Sequence, residues 1–155
     1  MDGSGNVHLV YAESPAGPFT RSHIRYSRRP AGADVWPAPR QISGDSGGRS
    51  ADVGFPALSL DRRGRVYVLW ERHPPQGRRS QGLGLSHSGD GGANFAPPSV
   101  VPGSDDPAHG VNGSQQGLLM RKLAVGPAGA VAVVNSTFKP GEASRIWLFR
   151  GRFAE

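Results

Sequence analysis

The sequence contains no cysteine, only two lysines and no long apolar run. Without cysteine, the chain has no disulfide bond, no Cys-ligated metal site and no thiol catalysis. No stretch reaches the roughly 18 apolar residues that a membrane-spanning helix needs, so no transmembrane helix and no membrane partner are expected. A basic segment followed by an apolar one is also missing, so we expect no signal peptide within this chain.

Glycine and proline, by contrast, are abundant. There are 23 glycines and 14 prolines, spread from end to end, and the hydrophobic fraction is 36%. Because both residues disfavour helix interiors, a helical bundle is excluded. The apolar residues occur in short, regular runs rich in Val, Leu, Ile and aromatics, which favour strands. The 155 residues fit a single turn-rich, all-β domain.

The charge balance is positive, with 18 basic residues against 12 acidic ones and a net charge of +6. Sixteen of the basic residues are arginines, and they are scattered along the chain. No basic helix, zinc finger or alternation of aromatic and basic residues accompanies them, so nucleic-acid binding is disfavoured. Polyanion binding through the arginine surplus is a third functional hypothesis, and it predicts affinity that falls steeply with salt.

An internal repeat organises the chain. Residues 2–44 align with residues 61–103 at a constant offset of 59 and without a gap. Val7–Tyr11 meets Val66–Trp70 in this alignment, and Trp36 meets Phe95. A third copy starts near Leu118, where the offset is 65. Repeats of this length made of short strands are typical of β-propeller blades.

Each repeat therefore predicts one four-stranded antiparallel blade. We expect an incomplete blade over 1–44, a complete blade over 45–103 and an incomplete blade over 104–155, with about ten strands in total. Propellers normally close with at least four blades, so the chain either belongs to a larger protein or pairs with another copy. Exposed strand edges at Met1–Tyr11 and Ser144–Arg150 favour self-association or further blades.

One short motif carries a family resemblance. The segment Ser88–Phe95 fits the pattern Ser-x-Asp-x-Gly-x-x-aromatic, which resembles the Asp-box, or BNR repeat, of sialidases and their non-enzymatic relatives. The resemblance implies a partial sialidase-like propeller in which Ser88, Asp90, Gly92 and Phe95 are structural turn residues. The first copy retains only the aromatic residue of this pattern, Trp36.

The resemblance also implies what catalysis would require. Sialidases use three arginines to hold the substrate carboxylate, an Asp acid/base, and a Tyr nucleophile with a Glu partner. Gly54 stands where the first arginine would be. Tyr26, which has arginines nearby in sequence, together with Glu71 and Arg72 at a strand end, are the weak catalytic candidates. No cofactor and no metal site are expected.

In this family the Asp-box turns lie opposite the ligand-binding face, so the binding residues are expected in the longer loops. The candidates there are Glu13, Arg49, Asp52, His73, Asp105, Asp106, His109 and Asn112. A non-catalytic binding or scaffold module, with a carbohydrate as its ligand, is the first hypothesis. A fragment of a sialidase-like hydrolase that removes terminal sialic acid is the second. The resemblance implies an extracellular or periplasmic location.

Overall fold

The computed structural model describes residues 1–17, 21–44, 52–73, 82–106, 111–112, 122–127, 129–138, 140–143 and 145–153. These residues form eleven strands and no helix, so the all-β class is confirmed. The strands are β1 Val7–Glu13, β2 His23–Arg29, β3 Arg40–Gln41, β4 Asp52–Leu60, β5 Val66–His73, β6 Leu83–Ser88, β7 Ser99–Val100, β8 Val111–Asn112, β9 Leu123–Val125, β10 Ala130–Phe138 and β11 Arg145–Arg152. The described part of the chain also lacks any helix long and apolar enough to span a membrane.

The strands form three antiparallel sheets that follow one another along the chain. The first sheet is β1-β2-β3, and the second is β4-β5-β6-β7. In the third sheet, β8 and β9 both pair with β10, which pairs with β11 on its other side. The strand count exceeds ten because the first strand of the third copy is divided into β8 and β9.

The repeat in the sequence is a repeat in hydrogen-bond register. Val7 pairs with Arg29 in the first sheet, and Val66 pairs with Ser88 in the second. Both residues of the second pair lie 59 positions after their equivalents in the first pair. The third copy keeps the offset of 65, because the Leu58–Val68 pair corresponds to Leu123–Val133.

Strand β5 of the second sheet is buried on both faces. Its side chains alternate between the two faces, so they contribute to two different cores. Val66, Val68 and Trp70 belong to the core between the first and second sheets. Tyr67 and Leu69 belong to the core between the second and third sheets. The three sheets therefore pack face to face in chain order, with the second in the middle.

Each sheet has two different ends. The turn end carries the tight turns at residues 2–6, 61–65 and 88–95, and the backbone hydrogen bonds that Gly126 makes with Gly129 and Ala130. At the opposite end, called the loop end here, β1 and β5 finish while β2, β4 and β6 begin. The candidate binding and catalytic residues divide between these two ends.

Candidate functional site

Two aspartates organise equivalent turns at the turn end. Asp61 accepts hydrogen bonds from the backbone N of Arg65 at 3.0 Å and from its Nε at 2.6 Å. Asp2 accepts the equivalent pair from the backbone N and Nδ2 of Asn6, each at 2.9 Å. Hydrogen bonds from Asn6 and His8 hold the pKa of Asp2 well below its usual range. These carboxylates are hydrogen-bond acceptors within the fold.

The Ser88–Phe95 turn is held by its own side chains. Ser88 Oγ donates to Asp90 Oδ1 at 2.7 Å and accepts from the Gly92 backbone N at 2.8 Å. The Asp90 carboxylate accepts from the backbone N and Nδ2 of Asn94, both at 2.8 Å. Hydrogen bonds from Asn94 and Ser88 keep the pKa of Asp90 well below its usual range. A carboxylate held in this way stays ionised and has no proton to give a substrate.

Tyr26 lies in the core between the first and second sheets. Its side chain is 1% exposed, and the Phe95 ring packs edge-on against it with 4.7 Å between ring centroids. Its hydroxyl is 2.8 Å from His8 Nδ1, and His8 Nε2 is 3.0 Å from Asp2 Oδ2. Burial raises the pKa of Tyr26 to about 12. Tyr26 is thus a buried, protonated anchor for the Ser88–Phe95 turn.

Glu71 is the centre of the loop end. Its Oε1 accepts a hydrogen bond from Lys122 Nζ at 2.7 Å, and both side chains are 1% exposed. Its Oε2 lies 3.9 Å from His73 Nε2 and has no hydrogen-bond partner among the described residues. Burial lowers the pKa of Lys122, although the neighbouring Glu71 opposes that shift. The pair joins the second sheet to the chain just before β9 of the third sheet.

The structure does not bring the three catalytic candidates together. Glu71 faces the third sheet, where it meets Lys122, whereas Tyr26 packs on the opposite face of the middle sheet. Arg72 follows Glu71 on β5, so it faces the other side of the strand, and its backbone pairs with Val53.

An exposed aromatic ring lies beside His73. Phe55 is 54% exposed and has a φ of 50°, the one positive φ of a non-glycine residue among the described residues. It sits in an irregularity of β4 between Gly54 and Ala57, and its ring centroid is 6.0 Å from that of His73. Such backbone conformations cost free energy and cluster at functional sites. Bulges that redirect a side chain are also frequent there.

Sequence reasoning missed both Phe55 and Lys122. Lys122 carried a signal, because it is one of two lysines and lies next to the apolar run of β9. For Phe55, the only signal in the sequence was its position between a glycine and a proline.

Two other predicted binding residues are paired within the protein. Glu13 Oε2 accepts from Arg25 Nε at 2.6 Å, across the end of the first sheet. Asp52 Oδ1 accepts from the backbone N and the hydroxyl of Ser22, each at 2.6 Å, and so connects β4 to the start of β2. Asp52 is also the cross-strand partner of His73. Both carboxylates lie at the loop end.

The remaining candidates are less informative. Asp105 and Asp106 are exposed in the turn that follows β7, and Asp105 lies against Gly82 at the start of β6. Asn112 lies on β8, where its backbone pairs with Thr137. Arg49 and His109 fall outside the described residues. Within the described ranges, no three His, Asp or Glu side chains are grouped so as to hold a metal ion.

Comparison with known proteins identifies the fold. No family model and no curated protein matches the chain. Among solved structures, it is similar to the Hadza microbial sialidase Hz136, with a TM-score of 0.66 and 15% identity. The fold is a partial sialidase-like β-propeller. The match covers 97% of this chain and 33% of the other, so the chain spans about a third of the length of that sialidase.

Proposed function

We propose that the chain is a non-catalytic part of an Asp-box propeller and that its loop end binds a carbohydrate. The observation that carries this proposal is the exposed Phe55 ring beside His73, held in a strained backbone conformation. An exposed ring on a rigid sheet offers an apolar surface on which a sugar ring can stack. The imidazole next to it can donate and accept hydrogen bonds from hydroxyl groups.

Glu71 is buried behind His73 at this site. It is too deeply buried to contact a ligand itself, with 0% residue exposure. Its Oε2 lies beside His73 Nε2, while Lys122 fixes the other oxygen. The Glu71 carboxylate thus places a negative charge 3.9 Å from His73 Nε2, and the His73 side chain is 20% exposed.

Three observations favour binding over catalysis. Tyr26 is buried and separated from Glu71 by the middle sheet. Gly54 occupies the position where the resemblance implies a substrate-binding arginine. Asp52 and Glu13 already accept hydrogen bonds from neighbouring side chains. A carboxylate that is paired in this way is poorly placed to act as an acid or base in a reaction.

The test is a titration of the chain with a panel of neutral and sialylated oligosaccharides, followed by NMR shifts or calorimetry. We expect a sugar that binds the wild-type chain to bind Phe55→Ala about tenfold more weakly, a loss of about 1.4 kcal/mol. Val100→Ala removes an exposed apolar side chain on β7 and serves as the matched control. The proposal fails if no sugar binds, or if both variants bind as the wild type does.

The alternative function is a part of a sialidase-like hydrolase that removes terminal sialic acid. The likeness to a sialidase structure favours it. A fluorogenic sialoside tests it directly, and we expect no turnover by this chain. Turnover that is lost in Tyr26→Phe but kept in Val100→Ala would replace the binding proposal with the catalytic one.

A further inference from the structure

Among the described residues, nothing covers one face of the first sheet and one face of the third sheet. On the first sheet, Leu9 is 42% exposed and Trp36, in the turn between β2 and β3, is 39% exposed. On the third sheet, Ile146 is 68% exposed and Leu148 is 51% exposed. These four residues are half of the eight large hydrophobic residues that are exposed in the described part of the chain.

The repeat shows what each open face is built to meet. In the second sheet, Leu85 pairs with Leu69, and in the third sheet Leu148 pairs with Val134. Val134 is the residue equivalent to Leu69 at the offset of 65. Leu148 therefore occupies the place that Leu85 has in the second sheet. By the same argument, Ile146, the partner of Ser136, takes the place of Leu83, the partner of Glu71. Leu83 and Leu85 face the third sheet and are buried against it.

The first sheet carries the opposite half of such a contact. Leu9 takes the place of Val68, and Trp36 takes the place of Phe95, both at the offset of 59. Val68 and Phe95 pack in the core between the first and second sheets, where the Phe95 ring lies against Tyr26. Tyr26 occupies the place of Leu85 in its own sheet, since it pairs with Val10. A Trp36 ring placed on Leu148 would repeat the contact of Phe95 with Tyr26.

We infer that a second copy of this chain docks head to tail, with its open first-sheet face on the open third-sheet face of its partner. The contact continues the two sheet boundaries already present within one copy. It would bring Leu9 and Trp36 of one copy against Ile146 and Leu148 of the other. Covering large apolar side chains in this way is the main driving force of stable association.

The number of sheets sets the size of the assembly. Head-to-tail contacts produce rings when the rotation closes. Propellers typically have about four to eight blades. Each copy contributes three sheets. Two copies therefore form a ring of six sheets, which lies within that range. Each copy would then use both of its open faces, so the dimer contains two identical contacts.

Light scattering on the purified 155-residue chain tests the inference, with circular dichroism to verify β-structure. We expect the wild-type chain to have twice the mass of 16.4 kDa. Leu148→Arg and Trp36→Arg each place a charge in both contacts, so each variant should have the mass of one copy. Val100→Arg adds the same charge at an exposed position of β7 and should keep the double mass.

Mixing the two variants distinguishes a head-to-tail contact from a symmetric one. Leu148→Arg keeps its first-sheet face, and Trp36→Arg keeps its third-sheet face, so an equimolar mixture should regain the double mass through one intact contact. If only one of the two variants dissociates, like faces pair and the inference is wrong. A wild-type chain that is a folded single copy, or that does not fold alone, also overturns it.

Discussion

At the residue scale, Gly92 of the second sheet lies directly against Tyr26 of the first sheet. Its φ is +88°, and an added Cβ would overlap the Tyr26 hydroxyl. Both the left-handed backbone and the contact exclude a side chain. We expect Gly92→Ala to lower the free energy of unfolding by about 2 to 4 kcal/mol, measured by urea denaturation.

Gly89 provides the control in the same turn. An added Cβ there meets nothing within 4 Å, and its φ is not in the left-handed region. Gly89→Ala should therefore change the free energy of unfolding by less than about 0.5 kcal/mol. Equal losses in the two variants would mean that the turn tolerates no substitution, and that the contact with Tyr26 is not what constrains Gly92.

At the element scale, the Glu71–Lys122 pair fastens the second sheet to the third. Removing one partner leaves a charge buried without compensation, which costs about 3 to 5 kcal/mol. We expect Lys122→Met to show such a loss in the free energy of unfolding. Replacing both residues, as in Glu71→Leu with Lys122→Met, should recover most of it, because the site becomes apolar.

A double-mutant cycle measured by denaturation provides the decisive comparison. The double variant should be more stable than Lys122→Met alone, with a coupling of at least about 2 kcal/mol. Additive losses would show that the two side chains contribute independently and that the ion pair does not join the sheets. The far-UV circular dichroism of each variant should match that of the wild-type chain.

The repeat allowed the sheets to be predicted in detail because strand pairing within a blade depends on local sequence. The alternation of apolar residues fixes which side chains share a face. The glycine-marked turns fix the register between neighbouring strands. The offset of 59 therefore predicts that Arg40–Gln41 and Ser99–Val100 are equivalent strands, and the structure confirms this equivalence.

The site could not be predicted to the same degree, because it depends on contacts between sheets. Glu71 and Lys122 are 51 residues apart, and no periodic pattern links them. The first strand of the third copy is divided into β8 and β9. The sequence repeat therefore does not show where the third sheet begins. Phe55 owes its exposure to the irregular pairing of β4, which a period of two does not show.

At the scale of the whole molecule, two arginines of the first sheet connect it to the second. Arg28 Nη1 donates to the Gly91 carbonyl at 2.9 Å, which ties the first sheet to the turn of the second. Arg40 donates to the carbonyls of Gly92 and Ala93 in the same turn. A guanidinium suits this role because it offers several donors in a fixed plane.

The packing order of the sheets predicts how local stability is distributed. β5 is paired on both sides and buried on both faces, whereas β11 is paired with β10 alone among the described strands. Amide exchange in a strand that is buried on both faces, such as β5, requires nearly global unfolding. An edge strand such as β11 opens locally and exchanges faster. By mass spectrometry, we expect the amides of Val66–Glu71 to exchange at least about a hundredfold more slowly than those of Arg145–Arg152.

A dilution series relates this exchange pattern to the assembly. If a second copy covers the third sheet, protection of β11 falls when the chain is diluted, since the covered state depends on concentration. Protection of β5 does not change, because both of its faces are covered within one copy. A β11 that exchanges as slowly as β5 at every concentration would contradict the packing order itself. It would mean that the third sheet is covered within the chain and offers no open face to a partner.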